Sequence, residues 1–119
     1  MASRIIAVVI DCRDAESVAA FWCAALGYQV ARRWRDARGT QYVEASAPDR
    51  PMLLFHPVPE LKTDKNRLHL DLRPAEGDQS AEVRRLVGLG ARVVSDEPDL
   101  PWVVLADPEG NEFCVLAAE

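Results

Sequence analysis

The chain has 119 residues and a mass of 13.2 kDa, with 49% hydrophobic and 28% charged residues, the balance of one compact domain with no room for a second. About two thirds of the unfolded surface can be buried at this length, so no disulfide or metal staple is needed and any metal is functional. Lys plus Arg is 14 against 19 for Asp plus Glu, a net charge of −5 with the cations scattered, which excludes the basic stripe that a nucleic-acid backbone requires.

Ile5 to Cys12 is rich in β-branched residues and predicts a buried strand. Asp14 is placed to cap a helix carrying Val18, Phe21, Trp22, Ala25 and Leu26, which Gly27 ends. Strands follow at Tyr28 to Trp34, Thr40 to Ala45 and Pro51 to His56, the first two joined by a turn at Ala37-Arg38-Gly39. Pro57 to Asn66, with two prolines and charges at Glu60, Lys62, Asp64 and Lys65, reads as a polar linker. A second cycle then begins with a strand over Arg67 to Arg73. A helix capped by Asp78 or Ser80 follows, carrying Val83, Leu86 and Val87 and stopped by Gly90. Strands at Ala91 to Ser95, Trp102 to Ala106 and Glu112 to Ala117 complete it.

The apolar run Ile5 to Ile10 is too short for a signal-peptide core or a membrane span, so no membrane partner is expected. Cys12, Cys23 and Cys114 are odd in number and widely spaced, which predicts free thiols and a cytoplasmic setting.

The two halves repeat as strand, helix and three strands. Ile10-Asp11-Cys12-Arg13 matches Leu70-Asp71-Leu72-Arg73 at an offset of 60, and Leu26-Gly27-Tyr28-Gln29-Val30 matches Leu89-Gly90-Ala91-Arg92-Val93 at an offset of 63. The extra residues are expected within Pro74 to Gly77.

A tandem βαβββ pair of this length, with Asp107-Pro108-Glu109-Gly110-Asn111 before the last strand, resembles the vicinal oxygen chelate superfamily. That superfamily includes glyoxalase I, bleomycin-resistance proteins, fosfomycin-resistance enzymes and extradiol dioxygenases. More narrowly, several motifs are similar to its bacterial glyoxalase-like branch: Asp11, Phe21-Trp22, Leu26-Gly27-Tyr28, the run Val58 to Lys62 continuing to Asn66 through Leu72, and the closing Asp-Pro-Glu-Gly-Asn-Glu-Phe-Cys. The resemblance implies an α+β fold: two modules curling into a cupped, incomplete eight-stranded barrel, with helices outside and a ligand site inside. The expected bounds are 1–57 for module one, 58–66 for the linker and 67–119 for module two. Such folds host many chemistries, so function must be argued from the site.

Strand alternation puts Leu68, Leu70 and Leu72 on one face and Arg67, His69, Asp71 and Arg73 on the other. With the leucines under the helices, His69 and Asp71 point toward the cup. In the last strand, Glu112, Cys114 and Leu116 share one face and Phe113 and Val115 the other. By the resemblance, metal ligands come from the first and last strands of each module. His69 fits, but Val9 holds the matching position in module one and Cys114 replaces the final carboxylate. No tight metal cofactor is therefore expected, and a divalent ion on His69, Glu112 and His56 is the alternative. Without a metal, His69 is expected to pair with Asp71 or Glu112. Asp107 to Asn111 reads as a structural turn with Gly110 at positive φ. Trp34 and Trp102, near strand starts, are candidate walls for a flat ligand. Lys62, Asn66 and Arg67 are candidates to bind an anion, close a salt-bridged lid or stay solvated.

The expected function is small-molecule binding as a homodimer, sequestering a toxic compound or holding a metabolite. Arg67, His69, Asp71, Trp102, Glu112, Cys114, His56 and Trp34 are the ligand-binding candidates. The alternative is an enzyme of lyase, isomerase or dioxygenase type, either metal-dependent or with His69 as its catalytic general acid or base.

Overall fold

The computed structural model describes all 119 residues, which form two units, Met1–Leu61 and Lys62–Glu119. Each unit is one four-stranded mixed sheet with one helix, so the chain is α+β with two tandem βαβββ modules and unclosed sheets.

The first unit holds β1 (Val8–Cys12), α1 (Ala15–Leu26), β2 (Gln29–Arg35), β3 (Gln41–Ser46) and β4 (Leu53–Pro57). Its strand order is β1-β4-β3-β2, with β1 and β4 parallel and the other pairs antiparallel. Asp14 caps α1 as expected, its carboxylate accepting from the Ser17 N–H at 3.2 Å, and Gly27 ends the helix at φ 71°. Val18, Phe21, Trp22 and Ala25 are buried, with Phe21 and Trp22 edge to face at a centroid separation of 5.1 Å. Val43, Ala45, Leu53 and Phe55 are the buried side chains of β3 and β4, against which α1 packs.

The first strand begins at Val8 rather than Ile5, and it is buried on one face only. Ile5 and Ile6 are exposed, and Val9 is 52% exposed while its neighbours Val8 and Ile10 are partly covered. Six apolar residues in a row read as doubly buried, but the single helix of the module covers only one side of its sheet.

The second unit holds β5 (Asp71–Leu72), α2 (Gln79–Leu89), β6 (Arg92–Ser95), β7 (Trp102–Ala106) and β8 (Glu112–Leu116) in the order β5-β8-β7-β6. Asp78 is the cap of α2, accepting from Ala81 N–H at 2.8 Å, and Leu86 is its one buried residue. Val103, Leu105, Phe113 and Val115 fill the core from β7 and β8. Val87, expected inside, is exposed.

The predicted strand over Arg67 to Arg73 is corrected to the two residues of β5. Leucines alternate through this segment, yet its parallel ladder with β8 consists only of Asp71 opposite Cys114 and Leu72 opposite Val115. Leu68 is 89% exposed instead of lying under the helix, while Leu70 and Leu72 are partly covered. Periodicity gives the facing of a strand but not its length, which depends on partners for its backbone groups.

Candidate functional site

In the first unit the register aligns one residue from each strand on the face away from α1. Trp34 lies opposite Tyr42 and Asp11 opposite His56, and Tyr42 stacks on both aromatic neighbours. The Trp34 and Tyr42 ring centroids are 4.2 Å apart and those of Tyr42 and His56 4.8 Å apart. His56 Nδ1 is 3.4 Å from Asp11 Oδ1 at the end of the row. The next row pairs Arg32 with Glu44, Glu44 with Leu54, and Leu54 with Val9. Glu44, 9% exposed, accepts from Trp34 Nε1 at 2.5 Å and from Arg32 Nε at 2.7 Å. These bonds satisfy a nearly buried carboxylate and fix the indole plane. Asp36 anchors the turn before β3, accepting from the Arg38 and Thr40 N–H groups and from the Tyr42 hydroxyl at 3.1 Å.

In the second unit the corresponding row is Asp71, Cys114, Val104 and Ser95. His69, two residues before Asp71, places Nε2 at 3.3 Å from Asp71 Oδ1. The Cys114 thiol also hydrogen-bonds Asp71, and the ligating atoms of His69, Asp71 and Cys114 all lie within 4.8 Å of one another. Burial pushes the thiol pKa up, as does the Asp71 charge, so Cys114 stays protonated at neutral pH. Its amide donates to the Leu70 carbonyl at 2.9 Å, holding the chain just ahead of Asp71.

Glu112 is bonded to the segment ahead of His69. Its carboxylate accepts the Asn66 N–H at 2.9 Å and lies 3.2 Å from Lys62 Nζ, which also donates to the Asp64 carbonyl. Burial acts to raise its pKa, but the Asn66 amide and the Lys62 ammonium outweigh this and hold it below the usual range. Glu112 thus fastens the segment leading to His69, and the pairing of His69 falls to Asp71. Of the Lys62, Asn66 and Arg67 group, Lys62 is ion-paired to Glu112, Asn66 is held through its backbone N–H, and Arg67 is exposed.

The turn before β8 is structural, as read. Asp107, 2% exposed, accepts from the Glu109 and Asn111 amides and from Asn111 Nδ2, while Gly110 at φ 92° donates to the Asp107 carbonyl.

Of the predicted site residues, the structure brings together His69, Asp71 and Cys114. Trp102, opposite Leu116 and 38% exposed, lies on the same face of the sheet by strand alternation, and Arg67 is exposed. His56 and Trp34 are linked through Tyr42 in the first unit. Tyr42, Glu44 and the pairing of Asp11 with His56 were not singled out from sequence. Alternation through Gln41–Ser46 carries the facing of Tyr42 and Glu44, but only register shows what lies opposite them.

Two tandem βαβββ modules of this kind make up the fold of the vicinal oxygen chelate superfamily, in which the family model for this chain falls. The chain belongs within it to the family described as glyoxalase-like domain, which matches residues 7–116. Solved structures share the fold at low identity. The FosX fosfomycin-resistance protein of Mesorhizobium loti is 12% identical over 98% of this chain and 92% of its own, with a TM-score of 0.76. The Listeria monocytogenes FosX complexed with Mn(II) and sulfate is 12% identical over 100% and 94%, TM-score 0.75. The trypanothione-dependent glyoxalase I of Leishmania major is 15% identical over 97% and 86%, TM-score 0.73. No curated protein sequence matches the chain.

Proposed function

We propose that the protein binds a small organic molecule against the helix-free faces of its sheets, sequestering a toxic compound or holding a metabolite. The observation that carries this reading is the convergence of His69, Asp71 and Cys114 on such a face. Asp71 comes from the edge strand β5, Cys114 from its neighbour β8, and His69 from the segment just before β5. The stacked row of Trp34, Tyr42 and His56 supports it, as aromatic walls with fixed polar rims are what small-molecule sites require. Fosfomycin resistance and glyoxalase activity, stated of the structural neighbours, make such ligands the first to try.

One observation favours an enzyme as a second reading. The Asp71 carboxylate beside His69 Nε2 orients the imidazole, as a general acid or base requires. A thermal-shift and isothermal-titration series with fosfomycin and bleomycin, followed by turnover assays on any binder, tests both. Saturable binding weakened in His69→Ala, without conversion of the compound, supports the binding protein. Conversion lost in His69→Ala supports the enzyme, and binding unchanged in that variant removes His69 from either reading.

A further inference from the structure

We propose that the β1 end of the ring row in the first unit, where the His56 imidazole stands beside the Asp11 carboxylate, binds a planar amidinium-type cation: a guanidine, an amidine or a protonated 2-aminoheteroarene carried by a small molecule. This rests on the reading that small molecules are held against the helix-free faces, and it names the chemical class for one of them. Three observations carry it.

The first is spacing. Trp34, Tyr42 and His56 come from β2, β3 and β4 and stack across the sheet, with centroids 4.2 and 4.8 Å apart and planes 11° and 21° from parallel. Neighbouring strands lie about 4.7–4.9 Å apart, so each strand contributes one ring at a stacking distance. The fourth place in the row belongs to β1, and there the register puts Asp11, whose side chain has no ring to continue the stack. That side chain is 67% exposed and that of His56 35%, while Val9, two residues earlier on the same face, is also exposed. A flat group has room to lie on His56 as the next layer, with Val9 against the apolar remainder of its molecule.

The second is the opposite end of the same stack, which already holds a group of this kind. Arg32 lies over the Trp34 ring with Cζ 5.4 Å from the centroid, and its Nε donates to the Glu44 carboxylate at 2.7 Å. A planar cation thus caps the β2 end, its charge on a ring face and its N–H on a carboxylate. The β1 end offers the same two components in His56 and Asp11, whose Nδ1 and Oδ1 are 3.4 Å apart. The row holds no arginine or lysine at that end, so the planar cation must come from a ligand.

The third is charge. Glu44 answers Arg32 on this face, which leaves the Asp11 carboxylate to set the sign and favours a cation over an anion. A point ammonium would meet the carboxylate but not the ring. An amidinium gives His56 a flat face and gives Asp11 a fork of N–H donors, for which an ionised carboxylate has acceptor sites to spare.

Benzamidine is the probe, with benzamide as its neutral isostere and benzoate as its anionic one. Isothermal titration of the full-length protein at neutral pH should show one saturable site for benzamidine and no binding of benzoate. Benzamide should bind roughly tenfold more weakly or worse, and Asp11→Asn, nearly isosteric, should weaken benzamidine by the same factor, the scale of a hydrogen bond between charged groups. Asp71→Asn, in the second unit, should leave benzamidine unaffected. Circular dichroism checks the fold, and His56→Leu, expected to weaken binding likewise, serves if Asp11→Asn is not folded. The chain has two histidines, so NMR of labelled imidazole rings reads the place directly: benzamidine should shift His56 and leave His69 still. Absence of saturable benzamidine binding, equal affinity for benzamide, an unchanged affinity in Asp11→Asn, or a shift of His69 without His56 would overturn the proposal. Saturable shifts of His69 with fosfomycin or bleomycin would keep the small-molecule reading even then, whereas no shift of either ring with any of these compounds would remove both.

Discussion

Cys114 stands in the second sheet where His56 stands in the first. Asp11 lies opposite His56 in the parallel ladder of β1 and β4, and Asp71 lies opposite Cys114 in that of β5 and β8. The repeat that pairs Asp11 with Asp71 in sequence is thus a repeat of position, and the chemistry opposite each aspartate has diverged. An imidazole stacked on Tyr42 occupies one module, and a buried thiol beside His69 occupies the other.

Glu112 makes the segment leading to His69 acid-sensitive. Its folded pKa lies below that of an ordinary glutamate, so its contribution is complete above the unfolded value of about 4.3 and is lost as pH falls through the folded one. Glu112→Gln is expected to lower stability at pH 7 by about 1–3 kcal/mol, the scale of hydrogen bonds to a charged group. Chemical denaturation at stepped pH checks this, and the gap between wild type and variant should narrow below about pH 4.

Gly110→Ala tests the turn before β8. A Cβ there would meet only Lys62 Cγ at 3.6 Å, an ordinary contact, so the cost comes from φ 92°. A loss of about 1–2 kcal/mol is expected. Differential scanning calorimetry would register it as a lower Tm with an unchanged fold.

The elements were largely legible in sequence because their signals are local. Asp14 and Asp78 cap helices, Gly27 and Gly90 end them, and the apolar run Trp102–Ala106 marks out that strand. What was illegible depends on register. The shortness of β5 follows from a two-pair ladder and from a Glu112 side chain that takes the Asn66 N–H. The roles of Tyr42 and Glu44 follow from what β2 and β4 bring opposite them. His69, Asp71 and Cys114 were each readable as facing one side, but the closeness of all three was not.

Glu44→Ala should free the Trp34 indole. Its Nε1–H loses an acceptor 2.5 Å away, and Arg32 loses its partner at 2.7 Å. We expect a cost of about 1–3 kcal/mol for the unpaired groups and a shift in tryptophan emission. Glu44→Gln, which keeps an acceptor, should recover most of the loss, whereas equal losses in both variants would assign the effect to charge alone.

Association is expected through uncovered strand edges. The outer strands β1 and β2 in one sheet and β5 and β6 in the other each lack a partner on one side within their sheet, and Val93 and Val94 of β6 are exposed. Multi-angle light scattering at micromolar concentration should give twice the 13.2 kDa chain mass, and a mass of one chain would contradict it.

The central claim is that small molecules are held against the helix-free sheet faces with His69 in contact, and side-chain NMR tests it most directly. Protein labelled at histidine, tyrosine and tryptophan rings would be titrated with fosfomycin, bleomycin and mixtures of planar fragments. The account predicts saturable shifts that include the His69 ring and spread to Trp102 or to His56, Tyr42 and Trp34, with Trp22, buried on α1, unmoved. Saturable shifts that leave His69 untouched, or no saturable shift with any of these compounds, would contradict it.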